Sequence, residues 1–184
     1  MRCIALAMIL TGSVVADQVL MDFDFTQQPP GWTMTGTSPW TFPGHAHCDL
    51  ASWGGSDWAE LFSDSITVPD GVEHLLIEIP MTIEMLTMNG YTTAWIRCYV
   101  NGSSQSLLSI SSSAPSYSYS DTLVADVYVS PGDMVSFWFR GAGMGDPVEY
   151  GYGSTVWDMY HFTVTAFTSD LEPSTWARMK ACIF

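Results

Sequence analysis

Hydrophobic and polar residues alternate along residues 73–85, whose sequence is EHLLIEIPMTIEM. The apolar side chains occupy every second position, namely Leu75, Ile77, Ile79, Met81, Ile83 and Met85. Successive side chains on a strand point to opposite faces, so the pattern predicts a long strand with one apolar face and one mostly polar, solvent-exposed face. At helical spacing the same residues would scatter around the cylinder. Because an apolar sheet face must be covered, usually by a second sheet, this segment predicts a β-sandwich.

Short strand-like segments separated by turn residues make up most of the remaining chain. The predicted strands cover residues 19–26, 45–53, 58–68, 91–100, 105–110, 123–129, 134–140 and 155–167. We expect residues 111–120, SSSAPSYSYS, to form a polar surface loop. Residues 141–153 contain five glycines and predict a long loop. About ten short strands of this kind are typical of an all-β fold, here an antiparallel two-sheet sandwich.

The 184-residue chain is long enough for one domain with a sizeable core. Residues 1–16 combine Arg2, an apolar stretch and small residues ending at Ala16, which predicts a cleaved secretory signal peptide. The alternative is an N-terminal membrane anchor, although the apolar run is short for a span of about 30 Å. We therefore expect residues 17–168 to form a β-sandwich that is secreted or lies at the cell surface. Residues 169–184 form a tail whose apolar spacing predicts a short helix.

Acidic residues dominate the charge balance, with 19 Asp and Glu against five Lys and Arg, for a formal net charge of −14. Arg97 and Arg140 are the only basic residues between positions 17 and 170. Such a surface repels phosphate backbones and anionic lipid, so nucleic acid and membrane surfaces are disfavoured as partners. The acidic surface could attract divalent cations, or it could simply keep an exported protein in solution.

Four cysteines are present, at Cys3, Cys48, Cys98 and Cys182. Cys3 would leave with the signal peptide. In an oxidising compartment Cys48 and Cys98 are the natural disulfide candidates because both lie in predicted strands, and Cys182 would then be free or intermolecular. The alternative is that Cys48 and Cys98 are small buried hydrophobic residues.

Two groups of side chains are candidate metal ligands. The first is a set of carboxylates on predicted strands, Asp22, Asp24, Asp49 and Asp158. First and last strands are often neighbours in a sandwich, which would bring these carboxylates together as a structural calcium site with oxygen ligands. The alternative is that they are ordinary outward-facing strand residues. The second group is His45 and His47, which share one face of an extended segment and could form a transition-metal pair.

Aromatic and guanidinium side chains alternate on two predicted strands. Trp95, Arg97 and Tyr99 share a face of one strand, and Trp138 and Arg140 share a face of the other. If these faces coincide, ring stacking and planar hydrogen bonding would suit a glycan. The alternative is that this face packs under a loop or the tail, with cation–π contacts supporting buried rings.

Motifs of catalysis are missing from the sequence, which has neither GxSxG nor HExxH. Glu78 and Glu84 share a strand face, but six residues separate them by about 20 Å, too far for a glycosidase pair. We therefore expect a protein that is not an enzyme.

Three segments resemble extracellular jelly-roll domains of the MAM and cleaved-adhesin type. They are DFDFTQQPPGWT (22–33) followed by Trp40, PGDMVSFWFRG (131–141) and VWDMYHFTV (156–164). The resemblance implies a two-sheet jelly roll, attachment or ligand binding outside the cell, and a calcium ion held by Asp24 and Asp158. The scarcity of lysine and the glycine-rich segment 141–153 depart from that pattern.

The tail PSTWARMKACIF (173–184) is similar to short C-terminal tails on exported bacterial proteins, with Ala177 in place of glycine and Met179 in place of isoleucine. This likeness implies a sorting or anchoring signal, and the alternative is a small amphipathic helix docked on the sandwich. Taken with the body of the chain, these features predict a secreted, non-catalytic binding or adhesion module for a glycan or a cell-surface protein. The alternatives are a structural subunit that self-associates, and a glycoside hydrolase whose acid pair is not visible in the sequence.

Overall fold

The computed structural model describes residues 17–168, which form two antiparallel β-sheets and confirm the predicted all-β jelly-roll-like sandwich. The strands within this range are β1 (Gln18–Phe23), β2 (Thr33–Gly36), β3 (Ala46–Trp53), β4 (Ser56–Phe62), β5 (Ile66–Thr67), β6 (Val72–Met88), β7 (Gly90–Val100), β8 (Ser103–Ser112), β9 (Ser116–Tyr128), β10 (Met134–Gly145), β11 (Tyr152–Met159) and β12 (Phe162–Thr168). No helix within residues 17–168 is long and apolar enough to cross a membrane. The predicted signal peptide and tail, with Cys3 and Cys182, lie outside the described residues.

Strand β6, which the alternating pattern predicted, is the centre of the first sheet. Its inward side chains Leu75, Ile77, Ile79 and Ile83 are 0% exposed. Strand β9 pairs with one side of β6 over residues 74–86, and β12 and β11 follow one another along the other side. Strand β1 then pairs with β12, and β3 pairs with β11. One long strand therefore joins two shorter pairs of strands that lie end to end.

Strand β10 is the centre of the second sheet, whose order is β2-β4-β10-β7-β8 with β5 also pairing with β10. Aromatic rings fill the space between the two sheets. The Trp32 ring stacks on Phe139 at 5.8 Å between centroids and meets Phe162 edge-on at 5.6 Å. Trp40 and Trp157 meet edge-on at 5.2 Å. Such ring pairs contribute roughly 0.5–1.5 kcal/mol each beyond the burial of their area.

The two predicted loops are wrong in extent. Strand β9 begins at Ser116, inside the segment predicted as a surface loop. The prediction failed because an edge strand with a solvent-exposed outer face can be rich in serine. Strand β10 continues to Gly145 through the segment predicted as a glycine-rich loop. A Cβ atom at Gly143 would lie 2.5 Å from the backbone oxygen of Gly153 on the opposite sheet. The glycines therefore allow two strands to approach, and do not mark a loop.

The predicted last strand, residues 155–167, is two strands in the structure. Strand β11 ends at Met159 and β12 begins at Phe162, with Tyr160 and His161 between them. The backbone N–H of Tyr160 donates a hydrogen bond to the carbonyl of Pro80 at 3.0 Å, which ties the break to β6. Because of this break, Asp158 lies on β11, which pairs with β3, and not on β12, which pairs with β1.

The predicted disulfide between Cys48 and Cys98 is not formed, and both residues are buried free thiols. Cys48 lies on β3 with its sulfur 3.5 Å from where a Cβ of Gly141 would be, whereas Cys98 pairs with Phe137. Four residues along β10 correspond to about 13 Å, and a disulfide needs Cα atoms about 4.4–6.8 Å apart. Burial raises the pKa of the Cys98 thiol to about 12, and burial together with nearby carboxylates raises the pKa of Cys48 well above its ordinary value. The predicted alternative, small buried hydrophobic residues, describes both positions.

Candidate functional site

The two aromatic and guanidinium segments predicted from the sequence lie on one face, the outer face of the second sheet. In the register of β7 and β10, Arg140 pairs with Trp95 and Trp138 pairs with Arg97. Strand β4 contributes further side chains, since Glu60 pairs with Arg140 on its other side. We call this surface the aromatic–arginine face and define it by Trp58, Glu60, Phe62, Trp95, Arg97, Tyr99, Trp138 and Arg140.

Guanidinium groups and indole rings alternate across this face. The Cζ atom of Arg140 lies 5.9 Å from the ring centroid of Trp58 and 5.4 Å from that of Trp95. The Cζ atom of Arg97 lies 5.7 Å from the ring of Trp95 and 5.0 Å from the ring of Trp138. Cation–π contacts of this kind are worth about 0.5–1 kcal/mol at exposed sites, so the side chains hold one another in place.

The two arginines differ in their charge partners. Arg140 Nη1 lies 3.6 Å from Glu60 Oε1, and Thr35 donates a hydrogen bond to Glu60 Oε2 at 3.2 Å. No carboxylate of residues 17–168 forms an ion pair with Arg97. The guanidinium of Arg97 therefore has donors available for a ligand.

The rings on this face are buried to different degrees. Trp138 is only 8% exposed, and its Nε1 atom is buried without a hydrogen-bond partner. Trp58, Trp95, Arg97 and Tyr99 are half-buried. Trp138 is thus the floor of the face, and the half-buried side chains around it are those that an approaching molecule would touch. The cation–π contacts named in the buried-ring alternative are present, and whether this face binds a glycan stays a prediction.

Sequence reasoning missed the contribution of β4. Trp58, Glu60 and Phe62 fall at every second position of SDWAELF (56–62), so the alternation that indicates a shared strand face was present. It also missed Trp53, which is 67% exposed on the outer face of the first sheet, with its ring 4.6 Å from that of Tyr152.

The structure does not bring the four predicted carboxylate ligands together. Asp22 Oδ1 lies 2.6 Å from His161 Nε2, at the edge of a surface depression of about 360 Å³. Asp24 accepts hydrogen bonds from the backbone and hydroxyl of Thr26, which lower the pKa of its carboxyl group. Asp49 is exposed on β3, two positions beyond His47. Whether calcium binds any of these carboxylates stays a prediction.

Asp158 instead joins the predicted histidine pair. Within residues 17–168, the one group of three or more His, Cys, Asp or Glu side chains placed to hold a metal ion is His45, His47 and Asp158. The sequence predicted that the two histidines share a face. The addition of Asp158 follows from the break between β11 and β12, which the sequence pattern did not show.

No family model matches the sequence, and no curated protein matches it. Solved structures with a similar arrangement exist. TmCBM61 in complex with beta-1,4-galactotriose has 10% identity and a TM-score of 0.37, covering 76% of this chain and 90% of that chain. The K3 cleaved adhesin domain of Lys-gingipain from Porphyromonas gingivalis w83 has 13% identity and a TM-score of 0.41, covering 82% and 100%.

The CBM22-1 xylan-binding domain from Paenibacillus barcinonensis Xyn10C has 11% identity and a TM-score of 0.38, covering 84% of this chain and 97% of that chain. The structural neighbours are thus carbohydrate-binding and adhesin β-sandwich domains. The two sheets of this chain agree with the sandwich that the predicted resemblance implies, while the MAM and cleaved-adhesin likeness and the sorting tail stay predictions. All three TM-scores are below 0.5, so these similarities establish neither a family nor a function for this chain.

Proposed function

We propose that this protein is a non-catalytic module that binds a glycan through the aromatic–arginine face. The observation that carries the proposal is the position of the only two basic residues between positions 17 and 170, Arg97 and Arg140, among three tryptophans on one sheet face. In a chain with a net charge of −14, two cations add nothing to solubility, so their placement among indole rings favours a structural or binding task.

Each side chain has a distinct task in this proposal. Trp58 and Trp95 stand on either side of Arg140 and offer apolar surfaces for the C–H faces of sugar rings. Arg97 has no carboxylate partner within residues 17–168 and donates to sugar hydroxyl or carboxylate oxygens. Trp138 supports Arg97 from below, with its ring centroid 5.0 Å from Arg97 Cζ.

Binding without hydrolysis fits the carboxylates of this face. Glycosidases use a pair of carboxyl groups on either side of the scissile bond. Glu60, the carboxylate of this face, is held by Arg140 and by the Thr35 hydroxyl. A carboxylate engaged in this way positions the guanidinium and is poorly placed to transfer a proton.

The test is affinity electrophoresis of the purified protein in gels containing soluble polysaccharides, one neutral set of xylan, galactan and β-glucan and one uronic-acid polymer. We expect retardation by at least one polymer and at least a tenfold loss of affinity in Trp95→Ala and Arg97→Ala. Trp53→Ala is the matched control, because it removes an exposed indole from the other sheet. Equal retardation of Trp95→Ala and wild type, or no retardation by any polymer, would contradict the proposal.

A structural subunit is the second candidate function, and one observation favours it. Strand β9 is 13 residues long and pairs on one side with β6, while its other edge has no partner strand among the described residues. Long open edges can pair with a further chain. Light scattering over a range of protein concentrations distinguishes the candidates. Oligomers that grow with concentration, and that Val124→Pro abolishes, would favour assembly.

A further inference from the structure

A short closed loop brings two histidines together at the start of β3. The backbones of Thr41 and His47 exchange two hydrogen bonds, both 2.8 Å long, which close the loop between them. Gly44 has φ of +101°, a backbone conformation that favours glycine, and it reverses the chain directly before His45. The ring centroids of His45 and His47 then lie 5.8 Å apart.

Asp158 on β11 reaches both histidines because it pairs directly with His47 in the β3–β11 register. Its Oδ1 atom lies 2.9 Å from His45 Nε2 and 2.6 Å from His47 Nδ1. Its other oxygen, Oδ2, accepts a hydrogen bond from Thr82 at 3.4 Å. Thr82 thus fixes one side of the carboxylate while the other faces two imidazole nitrogens.

We propose that His45 Nε2, His47 Nδ1 and Asp158 Oδ1 bind a divalent transition-metal ion, with zinc as the best fit. Imidazole nitrogen and carboxylate oxygen are zinc ligands, and three protein ligands leave one coordination position open. The three ligand atoms all lie within 4.8 Å of one another. Tetrahedral zinc with bonds of about 2.0–2.1 Å requires ligand atoms about 3.3 Å apart, so small side-chain rotations suffice.

The surroundings differ from those of an ordinary histidine–aspartate pair. Elsewhere on the same sheet, His161 and Asp22 form such a pair at 2.6 Å, with side chains 41% and 61% exposed. At the proposed site two histidines converge on one oxygen, and the side chains of His45, His47 and Asp158 are 29%, 31% and 21% exposed. Thr82, which also lies 3.4 Å from the Tyr160 hydroxyl, orients the carboxylate as outer groups do around metal sites.

The experiment is calorimetric titration of the purified, chelator-treated protein with zinc chloride, followed by cobalt(II) titration monitored by visible absorption. We expect one zinc ion per chain and a tetrahedral cobalt spectrum. We expect zinc binding to weaken at least about tenfold in His45→Gln and in Asp158→Asn. We expect it to weaken by about tenfold in Thr82→Val, which removes the hydroxyl that orients the Asp158 carboxylate. His161→Gln is the matched control and should bind zinc like the wild type.

His45 precedes β3 and lies in a loop, so its replacement leaves the sheet hydrogen bonds intact, and near-ultraviolet circular dichroism in chelator verifies the fold of each variant. No saturable zinc binding by the wild type would overturn the proposal. Equal affinity of wild type and His45→Gln would also overturn it, because the metal would then lie elsewhere on the acidic surface. Calcium is titrated in parallel. If calcium binds saturably, and if Asp158→Asn abolishes this binding while His45→Gln leaves it unchanged, the site is an oxygen-ligand calcium site and the zinc proposal is wrong.

Discussion

Replacement of Gly143 by alanine tests the close approach of the two sheets. Gly143 lies on β10 in the segment that the sequence pattern predicts as a loop. A Cβ atom there would lie 2.5 Å from the backbone oxygen of Gly153, 3.0 Å from its carbonyl carbon and 3.2 Å from Cα of Ser154. These neighbours are backbone atoms of β11, so they cannot move without displacing a strand that is hydrogen-bonded on both sides.

The size of the effect follows from two opposing contributions. Overpacking of a well-packed core costs about 1–3 kcal/mol, and the rigid neighbours place Gly143→Ala at the upper end. Alanine restricts the unfolded chain more than glycine does, which returns roughly 0.5–1 kcal/mol. We expect a net loss of about 2 kcal/mol. In a domain of this size, such a loss lowers the melting temperature by about 4–8 °C.

Gly141→Ala is the matched control on the same strand and face. Its Cβ would lie 2.9 Å from Cδ1 of Leu50, the flexible end of a side chain that can turn away. We therefore expect a loss below about 1 kcal/mol for this variant. Urea unfolding measures both, and with a slope of about 2 kcal/mol/M the midpoint of Gly143→Ala falls by roughly 1 M. A Gly143→Ala protein as stable as wild type, as a loop glycine would give, refutes the reasoning.

Three further predictions concern the two thiols, one carboxyl group and the tryptophans of the aromatic–arginine face. Cys48 and Cys98 should resist a thiol reagent in the native protein and both react in guanidinium chloride without reductant; failure to react after unfolding would indicate a disulfide. Local desolvation raises the pKa of the Asp126 carboxyl group, which lies on an exposed face of β9, so its charged form is slightly destabilising above the folded-state pKa. Asp126→Asn should be more stable than wild type at pH 7, and the difference measured by urea unfolding should vanish as pH falls below the ordinary range near 4; a constant difference would point to another cause. Trp138→Ala should lose about 3 kcal/mol in the same assay. Trp95→Ala should lose less, about 1–2 kcal/mol, because Trp95 is less buried and loses two cation–π contacts; equal losses would contradict Trp138 as the floor.

Strands with one buried face could be predicted from the sequence, because burial imposes a period of two. Strand β6 follows this rule from Leu75 to Met88. Strand β9 does not, since the beginning of this edge strand is rich in serine and its burial pattern there is mostly exposed. The glycines of β10 could not be interpreted from the sequence, because the need for them comes from Gly153, on a strand of the opposite sheet.

The candidate sites show the same limit. Spacing within a strand predicted that Trp95 and Arg97 share a face and that His45 and His47 do. The pairing of Trp95 with Arg140, and of Asp158 with His47, depends on the register between distant strands. Register is set by the packing of the whole sandwich, so local pattern cannot supply it. The position of Asp158 further depended on the interruption at residues 160–161.

The pairing of β6 has a consequence for the order in which this chain can fold. Its partners β9, β11 and β12 all come later in the chain, between Ser116 and Thr168, so β6 has no sheet neighbour until the residues from Ser116 onward have been synthesised. Closing such distant pairs is slow, typically milliseconds to seconds for all-β domains. During that interval both edges of β6 are unpaired while its apolar face is uncovered, which makes the incomplete chain prone to aggregation.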